Sequence, residues 1–495
     1  MYRKRARDDK EERMLGGRSR RIRIVLAAIA AAALCAWIAP AAGAKIPVKF
    51  KVMRGYSSPG TPANLNVVGV LKIGNPKAKN VLVLNPGTSA GGGYFQPLGR
   101  TVAKTLPDWQ VWSVERRENF LEDQSELNLL KQGKVSAEDV FNYYLGYLTN
   151  PSITNHVHNV PDSAVPFARE WGMNTEINDL RTVVKAAARK GRNVAMGGHS
   201  LGGSIATAYA TWDFNGKPGG RDLSGLVLID GASSPTAVTP EQAQDSLNDL
   251  QTESPWLNFG GIAAPLAGLF GTVGSAATKA SPNTLSVFAG WPALPSNLMP
   301  PGGIMPTNEG GFGFATDAAT SPPNLRAAQV HSGHLAASGD PRGWVRDGAI
   351  TPIQRWATMF SGWGLQNMDG TAWYHPLRLT IDSGAVGNGI ANPAQAVLDV
   401  HSTDAAKLPK RLRILAMGAA LGGERVPAAA QSLAQTARIP KKNLTLINRQ
   451  TTYAHNDPNS AYPKNIFLKR LIPFLKKISA GKKGGKKKTG GGKKR

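Results

Sequence analysis

Two five-residue segments of the chain place a serine between two glycines, in the pattern Gly-x-Ser-x-Gly. Residues 87–91 have Ser89 at the centre, and residues 198–202 have Ser200. A serine in this pattern can act as a nucleophile, but a chain with 55 glycines readily produces the pattern by chance. The pattern alone therefore does not identify a reactive serine.

The residues around each serine separate the two segments. A nucleophilic serine of this kind needs a strand that runs into a tight turn, a helix that starts at once, and small residues on either side. Residues 193–202 supply this arrangement, whereas an Asn-Pro pair interrupts the strand before Ser89 and residues 90–93 begin a helix poorly. We predict Ser200 as the nucleophile, and residues 86–89 as a loop that offers backbone N–H groups.

At this point the chain resembles the α/β-hydrolase family, over the predicted sheet elements of residues 66–230 and 411–478. In that family an early loop supplies one half of the oxyanion hole, and the residue after the nucleophile supplies the other. The segment Pro86-Gly87-Thr88 resembles the family's His-Gly-x loop, with proline in place of histidine. The resemblance implies that the N–H of Thr88, or alternatively Ser89, acts together with that of Leu201.

The resemblance also implies a histidine after the last strand, which accepts the serine proton. His455 stands there, a short loop after the predicted strand 444–447, and we predict it as the base. We interpret His199 as a residue that packs beside the nucleophile. The other histidines lack a matching context, and the pair at 331 and 334 is too sparse to predict a metal site: His156, His158, His331, His334, His375 and His401.

The carboxylate that would orient this histidine has more than one candidate. Asp230 ends the strand after the nucleophile unit, where some family members place their acid. Glu424 follows the next strand, where most members place it, although residues 417–423 lack the usual Gly-x-x-Asp spacing. We favour Asp230 and keep Glu424 and Asp382 as alternatives; a structural alternative for Asp230 is a cap on the following turn.

Strands and helices must position these residues. In the sequence, short apolar runs alternate with stretches of helical periodicity. This alternation predicts an α/β fold, with a mostly parallel sheet flanked by helices. An antiparallel hairpin is expected within residues 46–73. The predicted strands are 81–84, 110–114, 193–196, 226–229, 412–417 and 444–447, and the predicted helices are one capped by Thr175, 201–212, 427–437 and 464–478.

The alternation stops after Asp230 for well over a hundred residues rich in Gly, Pro and scattered large apolar side chains. Because a structureless loop of that length is implausible, we predict an inserted lid or cap domain over residues 235–400. The hydrolase core would then consist of residues 45–234 and 401–479.

Both ends of the chain are strongly basic. Arginines precede an apolar run over residues 24–39, and small residues follow at 42–44, which predicts a signal peptide cleaved after Ala44, or alternatively a retained membrane anchor. Residues 480–495 consist largely of lysine and glycine and predict a disordered tail that could contact an anionic cell envelope. Nucleic acid is an alternative partner by sequence-independent charge attraction, but no aromatic residue is interleaved with these lysines, so sequence-specific recognition is not expected.

The cysteine content excludes several chemistries. Cys35 is the only cysteine and lies within the predicted signal peptide, so the mature chain would have no disulfide and no cysteine nucleophile. We predict neither a metal nor a cofactor. A nucleotide-binding dehydrogenase is disfavoured, because no Gly-x-Gly-x-x-Gly turn follows the first strand.

The predicted function is that of a secreted or envelope-associated serine hydrolase. It would cleave a small-molecule or lipid-like carboxylic ester of apolar character through an acyl-serine intermediate. An exported acyltransferase or peptidase with the same residues is one alternative. A non-catalytic envelope-binding protein on a hydrolase scaffold is another.

Overall fold

A computed structural model describes residues 46–485, with side chains through residue 480. The predicted signal peptide of residues 1–44, with Cys35, and the last ten residues of the predicted tail lie outside this part. Within it the strands are β1 Val48–Arg54, β2 Val67–Ile73, β3 Asn80–Asn85, β4 Trp109–Glu115, β5 Asn193–His199, β6 Gly225–Ile229, β7 His334–Leu335, β8 Trp344–Val345, β9 Arg413–Gly418 and β10 Leu444–Asn448.

Eight of these strands form one sheet, in the order β1-β2-β4-β3-β5-β6-β9-β10. The strands from β4 to β10 pair in parallel, and β2 pairs antiparallel with both β1 and β4. The predicted hairpin at the sheet edge is therefore present as β1 and β2. The sheet order and the flanking helices confirm the predicted fold class.

Helices cover the sheet and fill the segment between β6 and β9. In chain order they are α1 Gln96–Thr105, α2 Ser125–Lys131, α3 Ala137–Tyr144, α4 Met173–Ala188, α5 Leu201–Thr211, α6 Pro240–Thr252, α7 Leu266–Ala280, α8 Asn308–Thr316, α9 Ile353–Ser361, α10 Leu377–Ser383, α11 Ala394–Leu398, α12 Arg425–Thr436, α13 Asp457–Ser460 and α14 Ile466–Gly485. Within residues 46–485, none of them is long and apolar enough to cross a membrane.

The central strands are buried on both faces, which explains their continuous apolar sequences. Every residue of β3, β4 and β6 is buried. The α4 residues that recur at helical spacing, such as Ile177 and Leu180, are fully buried and belong to the same core cluster as residues of β3 and β5. Helix α4 and the central strands thus share one apolar cluster.

Two details of the predicted elements are wrong. Helix α4 begins at Met173, after Gly172, and Thr175 is not its cap. The hydroxyl of Thr175 instead donates to the carbonyl oxygen of Glu170 at 2.9 Å. Helix α14 continues to Gly485, so the first residues of the predicted disordered tail are helical.

Residues 235–400 are folded, with six helices and the two-stranded β7-β8 sheet in this described segment. Part of the segment shares an apolar cluster with residues between β4 and β5: Leu269, Val273 and Phe288 pack with Phe141 and Tyr144. This apolar cluster therefore combines the segment between β4 and β5 with the insert. The sequence pattern predicted only the insert. A lid role for the insert stays a prediction.

Candidate active site

Ser200 lies in the turn between the end of β5 and the start of α5. Its backbone has φ 56° and ψ −128°, a strained conformation for a residue with a side chain. A Cβ atom on Gly198 would collide with the carbonyl oxygen of Gly202, and one on Gly202 would collide with that of Asn85. The two glycines of the 198–202 segment are therefore required by close backbone contacts around the serine.

His455 and Asp230 form a buried pair beside this turn. Nδ1 of His455 lies 2.6 Å from Oδ2 of Asp230, and the two residues are 1% and 2% exposed. Since the carboxylate can only accept when ionised, the neutral imidazole carries its proton on Nδ1 and leaves Nε2 as the acceptor. Nε2 is buried and has no hydrogen-bond partner within the described part of the chain, and His455 lines the same pocket as Ser200.

The loop after β9 holds the Asp230 carboxylate through backbone donors. The N–H groups of Ala419 and Gly422 donate to Oδ1 at 2.5 and 2.9 Å, and that of Leu421 donates to Oδ2 at 3.2 Å. Burial opposes ionisation of Asp230, but the His455 hydrogen bond, the charge on His455 and the Ala419 N–H together lower its pKa. Asp230 is thus held as a carboxylate against the imidazole.

The other two acid candidates have partners other than His455 in the described part of the chain. Glu424 is exposed at the start of α12, where it accepts from Asn448 and Gln450. Asp382 is buried but pairs with Arg378 at 2.6 Å and accepts from the N–H of Met173 at 2.8 Å.

Two backbone donors flank Ser200. The N–H groups of Thr88 and Leu201 find no acceptor among residues 46–485. Leu201 is also the first residue of α5, where the helix dipole favours negative charge. The N–H of the alternative residue, Ser89, donates to Nδ1 of His375 at 3.4 Å. The N–H groups of Thr88 and Leu201 are thus available as donors, whereas the Ser89 N–H already has a partner; their role in an oxyanion hole stays a prediction.

His199 packs between the nucleophile turn and the histidine loop. Its ring centroid lies 4.2 Å from that of His455, and its Nε2 lies 2.9 Å from the carbonyl oxygen of His455. Burial and the nearby charge on His455 lower the pKa of His199 to about 3. The neutral ring therefore donates from Nε2 to that carbonyl and fixes the backbone that carries His455.

The insert supports the histidine loop from the other side, which the sequence reading did not identify. The N–H of Asn456 donates to the carbonyl oxygen of Gln329 at 3.1 Å, and Nδ1 of His331 lies 2.6 Å from Oδ2 of Asp457. The polar run after His455 is buried, and such a run could have signalled a structural partner. No group of three or more potential ligands is arranged for a metal ion in residues 46–485.

The pocket above Ser200 and His455 has a cavity volume of about 130 Å³ and is partly open to solvent. Among the residues with described side chains, no Asp, Glu, Lys or Arg lines it. The polar lining residues include Ser200, His455 and Asn456. The wall farther from Ser200 comes largely from the insert: Phe259, Ile262, Phe270, Phe288, Leu294, Leu298, Met299, Phe312, Leu325 and Phe360.

The sheet order, the serine in the turn after β5 and the histidine loop after the last strand together define the α/β-hydrolase fold. This chain has that fold. No protein-family model matches the chain, and no curated protein matches it significantly.

Solved structures with the same architecture are distant in sequence. A candidate lipase from Sulfolobus solfataricus has a TM-score of 0.44 and 13% identity, over 89% of this chain and 95% of its own. A thermophilic esterase from Thermogutta terrifontis has a TM-score of 0.36 and 11% identity, over 88% of this chain and 98% of its own. At these similarities the neighbours do not indicate the activity of this chain.

Proposed function

We propose that this protein is a serine hydrolase that cleaves carboxylic esters through an acyl-serine intermediate. The observation that carries the proposal is the His455–Asp230 pair, which leaves the imidazole Nε2 without a partner beside the pocket that Ser200 also lines. A neutral serine is a weak nucleophile, and a histidine oriented by a carboxylate is the common way to activate it.

In the proposed first half-reaction, Ser200 Oγ attacks the ester carbonyl carbon while His455 Nε2 accepts the serine proton. The carbonyl oxygen becomes negative and is stabilised by the N–H groups of Thr88 and Leu201. When the tetrahedral intermediate collapses, the alcohol leaves with the proton from His455, and Ser200 remains acylated. Asp230 holds the imidazole in the correct tautomer and stabilises its charged form.

In the second half-reaction, His455 accepts a proton from water, and the resulting hydroxide attacks the acyl-serine. The same two N–H groups stabilise the second intermediate, because they lie where negative charge develops again. Collapse releases the carboxylic acid and returns the proton to Ser200 Oγ.

The lining of the pocket supports an ester with apolar parts. A charged substituent bound there would lose its hydration without gaining a counter-charge, which costs several kcal/mol. The phenylalanine and leucine wall offers contact to an alkyl or aryl group instead. We therefore propose uncharged esters with an apolar acyl or alcohol part as substrates.

The first test is labelling of the purified chain with a fluorophosphonate probe, together with hydrolysis of a p-nitrophenyl ester series. We expect labelling and hydrolysis to be lost in Ser200→Ala and kept in Ser89→Ala. A folded wild-type chain that shows neither would contradict the proposal and favour a non-catalytic role. Preferred cleavage of amide bonds, or transfer of the acyl group to an added alcohol, would favour the peptidase or acyltransferase alternative.

We also propose export and contact with an anionic cell envelope. The basic sequences at both ends support this proposal. A cluster of cations on the sheet also supports the contact with an anionic envelope. Lys49 and Lys72 lie directly opposite each other on β1 and β2, and both Lys72 and Arg192 stack on Trp112 at 3.7 and 5.2 Å. Burial, Lys51 and Arg192 lower the pKa of Lys72 to about 8.

This cluster has no carboxylate within ion-pair distance in the part of the chain with described side chains. Like charges opposite each other weaken a sheet, so an anionic surface would relieve their repulsion. We expect binding to anionic vesicles that falls with salt and falls further in a Lys49→Gln/Lys51→Gln variant than in Lys441→Gln/Lys442→Gln. Equal binding by both variants would contradict a role for the cluster.

A further inference from the structure

A buried arginine lies beneath the loop that carries Thr88. Arg116 follows β4 directly and is 1% exposed. Its Nη1 donates to the carbonyl oxygen of Pro86 at 3.1 Å, and its Nη2 donates to those of Gly87 and Ala90 at 3.0 and 3.1 Å. One guanidinium thus binds three backbone carbonyls of the loop after β3.

A paired carboxylate keeps this arginine charged in the interior. Nε of Arg116 lies 2.6 Å from Oε1 of Glu118. Burial opposes the charge, but Glu118 and other nearby carboxylates raise the pKa of Arg116 above its usual range. Burying a charged guanidinium costs desolvation free energy. In return its planar group binds several carbonyl oxygens at once, which the single ammonium group of lysine cannot do.

The bond to Gly87 matters most, because the C=O of Gly87 and the N–H of Thr88 belong to the same peptide group. In a trans peptide these two groups point in opposite directions. A donor fixed on the Gly87 oxygen therefore fixes the direction of the Thr88 N–H. The cation also polarises the peptide group, which strengthens its N–H as a donor.

Gly87 itself lies against the nucleophile, since a Cβ atom built on it would lie 2.9 Å from Cβ of Ser200. The peptide that Arg116 binds is therefore next to the atoms that would react. Leu201, the other donor, needs no such support, because the start of α5 fixes its direction.

We propose that Arg116 is a positioning residue, which holds the Gly87–Thr88 peptide so that the Thr88 N–H stabilises the negative oxygen of the transition state. This inference rests on the proposed function of Ser200 and His455. Arg116 is buried and is not among the described residues that line the pocket, so we expect it to act on the rate of the chemical step and to leave substrate binding nearly unchanged.

The test compares Arg116→Lys and Arg116→Met with Arg117→Lys. Arg117 is the adjacent buried arginine, 2% exposed, and it pairs with Asp179 at 2.7 Å and donates to the carbonyl oxygen of Tyr56, away from the loop. A lost oxyanion donor costs about 10²–10³-fold in kcat, and a misdirected one should cost roughly 10- to 100-fold. We expect that loss in kcat for Arg116→Lys, more for Arg116→Met, and a KM within about threefold of wild type.

A kcat loss in Arg116→Lys no greater than in Arg117→Lys at matched thermal stability would overturn the inference. So would a change confined to KM.

A second measurement does not depend on turnover. In chains labelled with ¹⁵N at threonine and leucine, Arg116→Lys should shift the amide resonance of Thr88 and leave that of Leu201 in place. A Thr88 shift without any hydrolysis by the wild type would refute the proposed function while supporting the positioning of the loop. An unchanged Thr88 resonance would refute the positioning itself.

Discussion

Residues of both Gly-x-Ser-x-Gly segments line the same pocket, but the two serines have different surroundings. Both serines have a positive φ, 49° for Ser89 and 56° for Ser200, and both lie beside a histidine. Ser89 contacts His375 through its backbone N–H, and the other ring nitrogen of His375 lies 3.3 Å from the hydroxyl of Thr380. His455, in contrast, has a carboxylate on one ring nitrogen and no partner on the other in the described chain.

The difference shows that the five-letter pattern does not define a nucleophile. Burial and the charge of Arg116 lower the pKa of His375 well below its usual range, and no carboxylate is bonded to its ring in the described part of the chain. A cation beside His375 would disfavour the imidazolium that a base must form.

Removal of the two hydroxyl groups gives the sharpest contrast. We expect Ser200→Ala to lower kcat for ester hydrolysis by about 10⁴-fold or more, as in other serine hydrolases that lose their nucleophile. Ser89→Ala should stay within about threefold of wild type. Steady-state kinetics on a p-nitrophenyl ester measures both values of kcat. Similar losses in the two variants would contradict the assignment of Ser200 alone as the nucleophile.

The carboxylate is the second difference. Asp230→Asn should lower kcat by roughly 10³- to 10⁴-fold, because an amide no longer favours the tautomer with the proton on Nδ1. Glu424→Gln is the matched control and should change kcat by less than about twofold, because Glu424 is exposed and away from His455. A larger loss for Glu424→Gln than for Asp230→Asn would contradict the choice of Asp230, and would place the acid after β9 instead of after β6.

The glycines test the packing around the 198–202 segment. Gly202→Ala would push a methyl group into the carbonyl oxygen of Asn85, and overpacking of this kind costs about 1–3 kcal/mol. Gly343→Ala has nothing within 4 Å of the added atom and should be close to neutral. Urea unfolding measures the difference, and equal stability of the two variants would show that the turn can relax.

A smaller effect concerns His199, which occupies the position that Thr88 has in the other segment. Its pKa is about 3 in the folded chain and about 6.5 when unfolded. Between these values the unfolded chain binds more protons, so the free energy of unfolding falls as the pH drops below about 6.5, by up to about 1.4 kcal/mol per pH unit. His199→Gln should lose this dependence.

The stability difference between wild type and His199→Gln, measured by urea unfolding from pH 7 to pH 5, isolates this contribution from other titrating groups. A difference that does not vary with pH would mean that His199 titrates normally.

The sequence allowed prediction of the features that depend on local patterns. Ser200 and His455 follow from a strand, a turn and a helix that are adjacent in the chain, and most strand boundaries agree within one or two residues. The sequence favoured Asp230 but left Glu424 open, because both follow strands, and the packing of the loop after β9 decides which of them reaches the imidazole.

The regions that escaped prediction depend on distant contacts. Helix α7 of the insert is hard to read from its sequence, since Gly268 and Gly271 pack as bare backbone against Trp373 and Phe360. Arg116 is bonded to backbone carbonyls about 30 residues away. Neither feature leaves a trace in the spacing of side chains.

The backbone cradle around Asp230 has a consequence for how this site could be rebuilt. A Cβ atom on Gly422 would lie 2.6 Å from Oδ1 of Asp230, so two different strand ends reach the same point in space. We expect that an aspartate in the loop after β9, together with a small residue at position 230, would place its carboxylate near Nδ1 of His455. The carboxylate would then come from a different strand end, with no change at the histidine.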